Sequence, residues 1–212
     1  MDEVLQRDEN HVTVLAGITD DSNQYVTMLR VDPTTKRLLV SGDGGGGGGG
    51  LFVQTEDATI ANTTTTSNLA TNGVGSPTLP ADFLTAGRSI VISAEGYITN
   101  TGTPTLTASI AIGGTSVLTT GSLTMGTITG TTKFVFNCTI ACRTAGVSGT
   151  VQAQGQFSYF TNSTTQVLSP IVNTTTSTIN TTTTLATEVR IKWGTASVSN
   201  SITATNVSIS YI

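Results

Sequence analysis

Seven consecutive glycines, residues 44–50, constrain this chain more than any other feature. Glycine gives up more backbone entropy on ordering than any other residue and has no side chain to bury. Such a run behaves as a flexible coil whose reach grows as roughly 5–6 Å times the square root of its length. The expected organisation is a leading segment over 1–43, a poly-Gly linker over 44–50 and a trailing domain over 51–212. Charge follows the same division: twelve of the 22 charged residues precede the glycines, on about a fifth of the chain. An attachment segment, a swivel and a displayed domain is the arrangement this suggests. An ordinary loop or a linker without function is the plain alternative.

The trailing part is long enough to bury a full core as one domain. Charged residues are 10% of the chain, against a usual ~25% in globular proteins. Uncharged polar residues fill the deficit, threonine above all, and threonine is β-branched and favours strands. No long amphipathic helix is legible. After the glycines, Glu56, Asp57, Asp82, Glu95 and Glu188 are balanced by Arg88, Lys133, Arg143, Arg190 and Lys192. With no basic stripe, nucleic acid is not an expected partner. No run of about 18 apolar residues is present, so no membrane span is expected. The acidic first residues do not read as a signal peptide.

In the leading segment, residues 11–15, 25–31 and 36–40 read as short strands. Asp32 and Pro33 begin a turn before the third, because proline presets φ at the second turn position and aspartate can cap the backbone. Three such strands are marginal alone. Their apolar side chains Val14, Leu15, Met28, Leu29, Leu38 and Leu39 are therefore the candidate attachment surface.

The trailing domain alternates with period two. Ile90, Ile92 and Ala94 share a face, as do Leu106, Ala108, Ile110 and Ile112. Gly113 and Gly114 form a two-residue hairpin turn into residues 115–119. Phe134, Phe136, Cys138, Ile140 and Cys142 share a face, opposite Asn137, Thr139 and Arg143. Val151, Ala153, Gly155, Phe157 and Tyr159 share another, opposite Gln152, Gln154 and Gln156. Leu185, Val189, Ile191 and Trp193 point inward, and a last strand runs over 201–212. Residues 63–66 and 71–77 read as loops. The fold expected is all-β, an antiparallel two-sheet sandwich of jelly-roll-like or related topology. An immunoglobulin-like order is disfavoured by the lack of a Cys…Trp…Cys arrangement.

Chemistry-bearing residues are sparse. Cys138 and Cys142 sit about 13 Å apart along one strand, beyond the ~7 Å Cα limit for a disulfide, and read as buried core thiols. His11 is the one histidine and lies across the glycine run, so neither a zinc site nor a Ser–His–Asp arrangement is expected. Five carboxylates leave little scope for glycosidase chemistry. The glycines are not a phosphate loop, since no Gly-Lys-Ser/Thr follows. No enzyme activity, metal or cofactor is expected. Asn-x-Ser/Thr triplets at Asn62, Asn137, Asn162, Asn173, Asn180 and Asn206 arise by chance in so threonine-rich a chain. Residues 173–184 are a solvated loop or edge strand, or a hydroxyl-rich contact surface for sugars or a neighbouring subunit. Gln152, Gln154 and Gln156 are the candidate subunit contacts, because neutral polar groups pair across an axis at less desolvation cost than charges.

Two parts of the chain resemble a known group. Arg7-Asp8-Glu9-Asn10-His11-Val12 and Val31-Asp32-Pro33-Thr34-Thr35-Lys36-Arg37-Leu38-Leu39-Val40 are similar to the leading segment of tailed-bacteriophage virion structural proteins, which commonly have His where this chain has Lys36. Leu79-Pro80-Ala81-Asp82-Phe83-Leu84-Thr85-Ala86-Gly87-Arg88-Ser89-Ile90, Gly102-Thr103-Pro104-Thr105-Leu106-Thr107, Cys142-Arg143-Thr144-Ala145-Gly146 and the run from Trp193 to Thr203 resemble the trailing β domain of phage fibre and decoration proteins. The resemblance implies a virion protein anchored by its leading segment, its trailing domain displayed, usually as a homotrimer. The function expected is a capsid decoration or head-fibre component, with self, the capsid or a fibre base as partners. The alternative is a tail-fibre module that grips host glycans, and a cell-surface adhesin is a weaker third. Exposed aromatics near loops would favour glycans; the candidates are Tyr97, Tyr159, Phe160 and Tyr211, all in expected strands.

Overall fold

The computed structural model describes residues 30–31, 38–39 and 49–212. The chain divides into two compact units, Met1–Gly46 and Gly47–Ile212. In the first, β1 (Arg30–Val31) pairs antiparallel with β2 (Leu38–Leu39), Arg30 opposite Leu39 and Val31 opposite Leu38. Leu38 and Leu39 thus lie on a strand, as the reading of residues 36–40 requires. The other attachment candidates, Val14, Leu15, Met28 and Leu29, lie outside the described residues, as does His11.

The second unit begins with short strands: β3 (Gly49–Gln54), β4 (Ala58–Ala61), β5 (Ser67–Asn68), β6 (Gly73–Gly75) and β7 (Thr78–Leu79). Longer ones follow: β8 (Ser89–Thr99), β9 (Thr105–Ile112), β10 (Thr115–Thr119), β11 (Leu123–Thr124), β12 (Thr132–Thr144) and β13 (Gly149–Phe160). The chain closes with β14 (Gln166–Val172), β15 (Ser177–Ile179), β16 (Leu185–Trp193) and β17 (Ser201–Tyr211). They form two antiparallel sheets. The large sheet runs β14-β13-β12-β8-β17-β3-β6, with β15 beside β13 and β4 beside β17. The small sheet runs β10-β9-β16-β5, with β11 beside β9 and β7 beside β16.

The architecture is the antiparallel sandwich expected. Leaving β8 for β9 and returning from β16 to β17, the chain sets β8 beside β17 in one sheet and β9 beside β16 in the other. That paired wrapping is jelly-roll-like, while β12, β13 and β14 run as a meander inside the large sheet. The alternating apolar faces meet between the sheets. Ile90, Ile92, Phe136, Cys138, Phe157 and Ile209 from one side and Leu106, Ile110, Val189, Ile191 and Trp193 from the other are all buried. Phe157 sits 5.8 Å from Phe136, edge-on, and 6.2 Å from Phe134 and Tyr159. Pairs of this kind add about 0.5–1.5 kcal/mol each beyond their burial. Gly113 and Gly114, at φ 57° and 82°, form the hairpin turn between β9 and β10; positive φ at both central positions is what a twist-matched two-residue turn demands. Cys138 and Cys142 are free buried thiols.

The glycine run ends earlier than its composition implies. Gly49 and Gly50 belong to β3 and pair with Tyr211 and Ser210 of β17. Backbone hydrogen bonding needs no side chain, and a Tyr211 ring covers Gly49 so closely that an added Cβ would lie 2.5 Å from it. The ordered unit therefore starts inside residues 44–50, not after them.

Candidate functional site

Strand direction sorts the loops of the second unit to two ends. The chain enters at Gly49, beside Tyr211 and the backbone pair in which Ser89 and Ile212 exchange N–H···O bonds of 3.1 and 3.0 Å. Arg88 holds this corner. Its guanidinium lies 4.7 Å from the Phe83 ring and 5.7 Å from the Tyr211 ring and donates to the Phe83 carbonyl at 2.7 Å. The two rings meet edge-on at 5.4 Å. The entry point is thus clamped to the chain's last residues by one cation and two aromatic rings.

The opposite end carries the loops 62–66, 100–104, 125–131, 161–165 and 194–200, none with a charged residue. The turn at 55–57 lies between β3 and β4 beside the bulge in β17, so Glu56 and Asp57 sit partway along the strands. Short polar side chains bind their own loop backbones, as threonine, serine and asparagine tend to do in turns. Asn162 Oδ1 accepts from the Thr164 and Thr165 amides, both at 2.9 Å. Thr63 Oγ1 accepts from the Thr65 amide at 3.0 Å. Asn100 spans two loops: it donates to the Gly126 carbonyl at 3.1 Å and accepts from the Ile128 amide at 2.9 Å.

The outer face of the large sheet carries the glutamines. Ladder register places Val74, Val53, Ser208, Ser93, Asn137, Gln156 and Pro170 side by side at one level across seven strands. The adjacent level holds Ser210, Val91, Thr139, Gln154 and Val172. Toward the entry end follow Ser89, Ala141 and Gln152. Gln154 and Gln156 are exposed. Gln152 is half-buried and donates to the Asn173 carbonyl, while Asn173 donates to Val117 of β10. Ser93 donates to Asn137 at 2.7 Å. An open trough of about 660 Å³ lies along this face, lined by Val91, Ser93, Asn137, Gln154, Gln156 and Val172.

Toward the loop end two middle strands of the face carry charge. Lys133 lies 3.2 Å from Glu95, and Asn206 donates to the same carboxylate at 3.4 Å. The Lys133 hydrogen bond first, and the Asn206 bond second, hold the Glu95 carboxyl below its usual range. Tyr97 stands opposite Lys133, 41% exposed. Of the other aromatics considered, Tyr159 is buried, with its hydroxyl accepting from the Gly126 amide at 2.8 Å, and Phe160 and Tyr211 are half-buried. Residues 173–184 are loop apart from β15, which pairs with the start of β13.

Among the described residues no group of three or more His, Cys, Asp or Glu side chains converges on a metal position. No helix among them is long and apolar enough to cross a membrane. Burial raises the Cys138 thiol to about 12 and raises that of Cys142, as expected for core cysteines rather than nucleophiles. The sequence located Gln152, Gln154 and Gln156 on an outer face but not their neighbours Val53, Leu168, Pro170 and Val172. Those neighbours are set by long-range pairing, and residues 166–172 did not read as a strand. Comparison with family models, curated proteins and solved structures finds no match to this chain.

Proposed function

We propose that this protein is a non-enzymatic structural component of a phage virion, a capsid decoration or head-fibre element carried on the particle surface. In this reading residues 1–43 attach to the capsid or a fibre base, the first glycines act as a swivel, and the sandwich is displayed as a trimer of identical chains. One observation supports it most: the chain enters the sandwich at a clamped corner, and five uncharged loops project from the opposite end. A domain held at one end and neutral at the other suits display without non-specific charge attraction. The test is incorporation. Particles assembled with a chain lacking residues 1–43 should carry none of it, although the fragment keeps its β circular dichroism; normal incorporation defeats the reading.

A second reading, a tail-fibre module for host glycans, is favoured by exposed Tyr97 beside Glu95, Lys133 and Asn206, since sugar rings stack on aromatic faces and their hydroxyls pair with carboxylate and amide groups. Binding to cell-surface polysaccharide that is abolished by Tyr97→Ala would move the assignment there.

A further inference from the structure

We infer that the outer face of the large sheet is the contact surface for further copies of this chain, arranged about a symmetry axis parallel to the strands. The inference rests on the self-association and the common attachment surface of the preceding reading, and assigns them a contact face and an axis.

Size supports it. Six strand spacings of about 4.8 Å make the face roughly 29 Å wide, and three intervals of about 6.8 Å between its four levels make it roughly 20 Å tall. The product, roughly 590 Å², lies near the ~600 Å² per partner at the lower end of specific interfaces. Three of those levels carry no charge, and the fourth carries only Glu95, neutralised by Lys133.

Composition identifies the occupant. The centre of the face is Ser93, Asn137, Gln154, Gln156, Ser208 and Ser210. Hydroxyl and amide groups both donate and accept hydrogen bonds, so such a surface is complementary to itself. A face of one charge sign would instead call for an oppositely charged partner. The borders are apolar on both sides. Leu168 is 55% and Val172 67% exposed on β14, while Val53 is 48% and Val74 71% exposed on β3 and β6. These four are half of the exposed large apolar residues among those described.

The borders fix the axis. Rotation about a line parallel to the strands keeps each level in place and exchanges left for right. The β14 border of one copy then lies against the β3–β6 border of the next, in a face-to-face pair or in a closed ring of three. The same rotation brings every Gly49 to one end and every set of uncharged loops to the other. A rotation perpendicular to the strands would point the entry strands in opposite directions, which chains tethered to one surface could not satisfy. Pro170 in the middle of β14 removes a backbone donor from the sheet edge, so copies meet through side-chain faces rather than by extending the sheet.

The experiment uses the full chain. Sedimentation equilibrium from micromolar to near-millimolar concentration should show a closed oligomer. Val172→Lys and Gln156→Lys should each raise its dissociation constant at least about tenfold, because each buries an unpaired charge. Val198→Lys, at an exposed loop site off the face, should leave the mass unchanged, with circular dichroism confirming that all three variants are folded. Mixing Pro170→Cys with Val74→Cys chains and oxidising should give an intermolecular disulfide, since the axis sets those two border residues together at one level. A monomer at every concentration overturns both the self-association and the face. An oligomer whose mass the face variants leave unchanged, or one in which the two cysteines do not cross-link, overturns the face and axis while self-association stands.

Discussion

Alanine at Gly49 and at Gly50 should have opposite effects, although both belong to one glycine run. A Cβ at Gly49 would lie 2.5 Å from a Tyr211 ring carbon and 2.6 Å from its hydroxyl, so the ring must swing away. That movement weakens the edge-on Phe83–Tyr211 contact, about 0.5–1.5 kcal/mol, and the Arg88–Tyr211 contact, about 0.5–1 kcal/mol. Against it stands the smaller unfolded-state entropy of alanine, about 0.4–1 kcal/mol. Gly49→Ala is therefore expected to destabilise by up to roughly 2 kcal/mol. At Gly50 a Cβ meets nothing within 4 Å. There only the entropy acts, and Gly50→Ala should stabilise by about 0.4–1 kcal/mol. In a unit of this size 1 kcal/mol moves Tm by about 2–4 °C; the entropy gain is common to both variants, so the lost contacts should separate them by roughly 2–10 °C. Differential scanning calorimetry of the full chain measures this directly. Equal Tm values for the two variants would mean that both glycines are still linker and that the clamped entry point is wrong.

Gly155→Ala should lower the denaturation midpoint by the equivalent of about 1–3 kcal/mol, because its Cβ would lie 2.4 Å from the Asn137 carbonyl and 2.9 Å from Leu118 of the facing sheet. Trp193→Ala, at a fully buried ring whose N–H donates to the Ile60 carbonyl, should cost about 3–5 kcal/mol in urea unfolding. A thiol reagent at pH 8 should leave Cys138 unlabelled in the native chain and label it once urea unfolds the protein, since burial has pushed its thiol up to about 12. Glu95→Gln should give a small loss of stability that depends on pH. The folded carboxyl titrates below its unfolded value, so its contribution is complete above the unfolded pKa and disappears as pH falls through the folded one. Wild type and variant should therefore converge in acid, and raised salt should narrow their difference at neutral pH.

The strands legible in the sequence are those with one face sealed against the other sheet. Along β12 and β13 every second residue is buried over most of the strand, and period two survives even with threonine, glutamine and glycine between. Legibility failed where something other than burial defines the strand. β8 runs past Gly96, where the apolar pattern is interrupted, because an added Cβ there would lie 2.0 Å from the Thr203 carbonyl at the bulge in β17. Glycine is there a condition of pairing rather than a stop. β14 was missed because proline reads against a strand. At the sheet edge Pro170 needs no outward hydrogen bond, and β13 supplies the other side. β4, β5 and β6 are short and lie in threonine-, asparagine- and glycine-rich sequence, so only their partners on β17, β16 and β3 give them extended form.

The candidate surface was only half legible for a related reason. Alternation assigns Gln154 and Gln156 to an outer face but cannot say which strands flank them. Ser208 and Val53 are neighbours of that face only because β17 returns beside β8 after a long excursion in sequence and β3 pairs with β17. Those pairings turn a scattered set of neutral residues into one surface bordered by apolar side chains. The same pairings bring Gly49 next to Tyr211, so the direction in which the chain enters the sandwich and the orientation of the face have a single origin in β17. In the assembly proposed above, moving the entry point to the loop end would leave the face intact but reverse the direction in which copies are held. The Arg88 clamp would then bear on orientation as well as stability, because it fixes the corner at which the chain enters the sandwich.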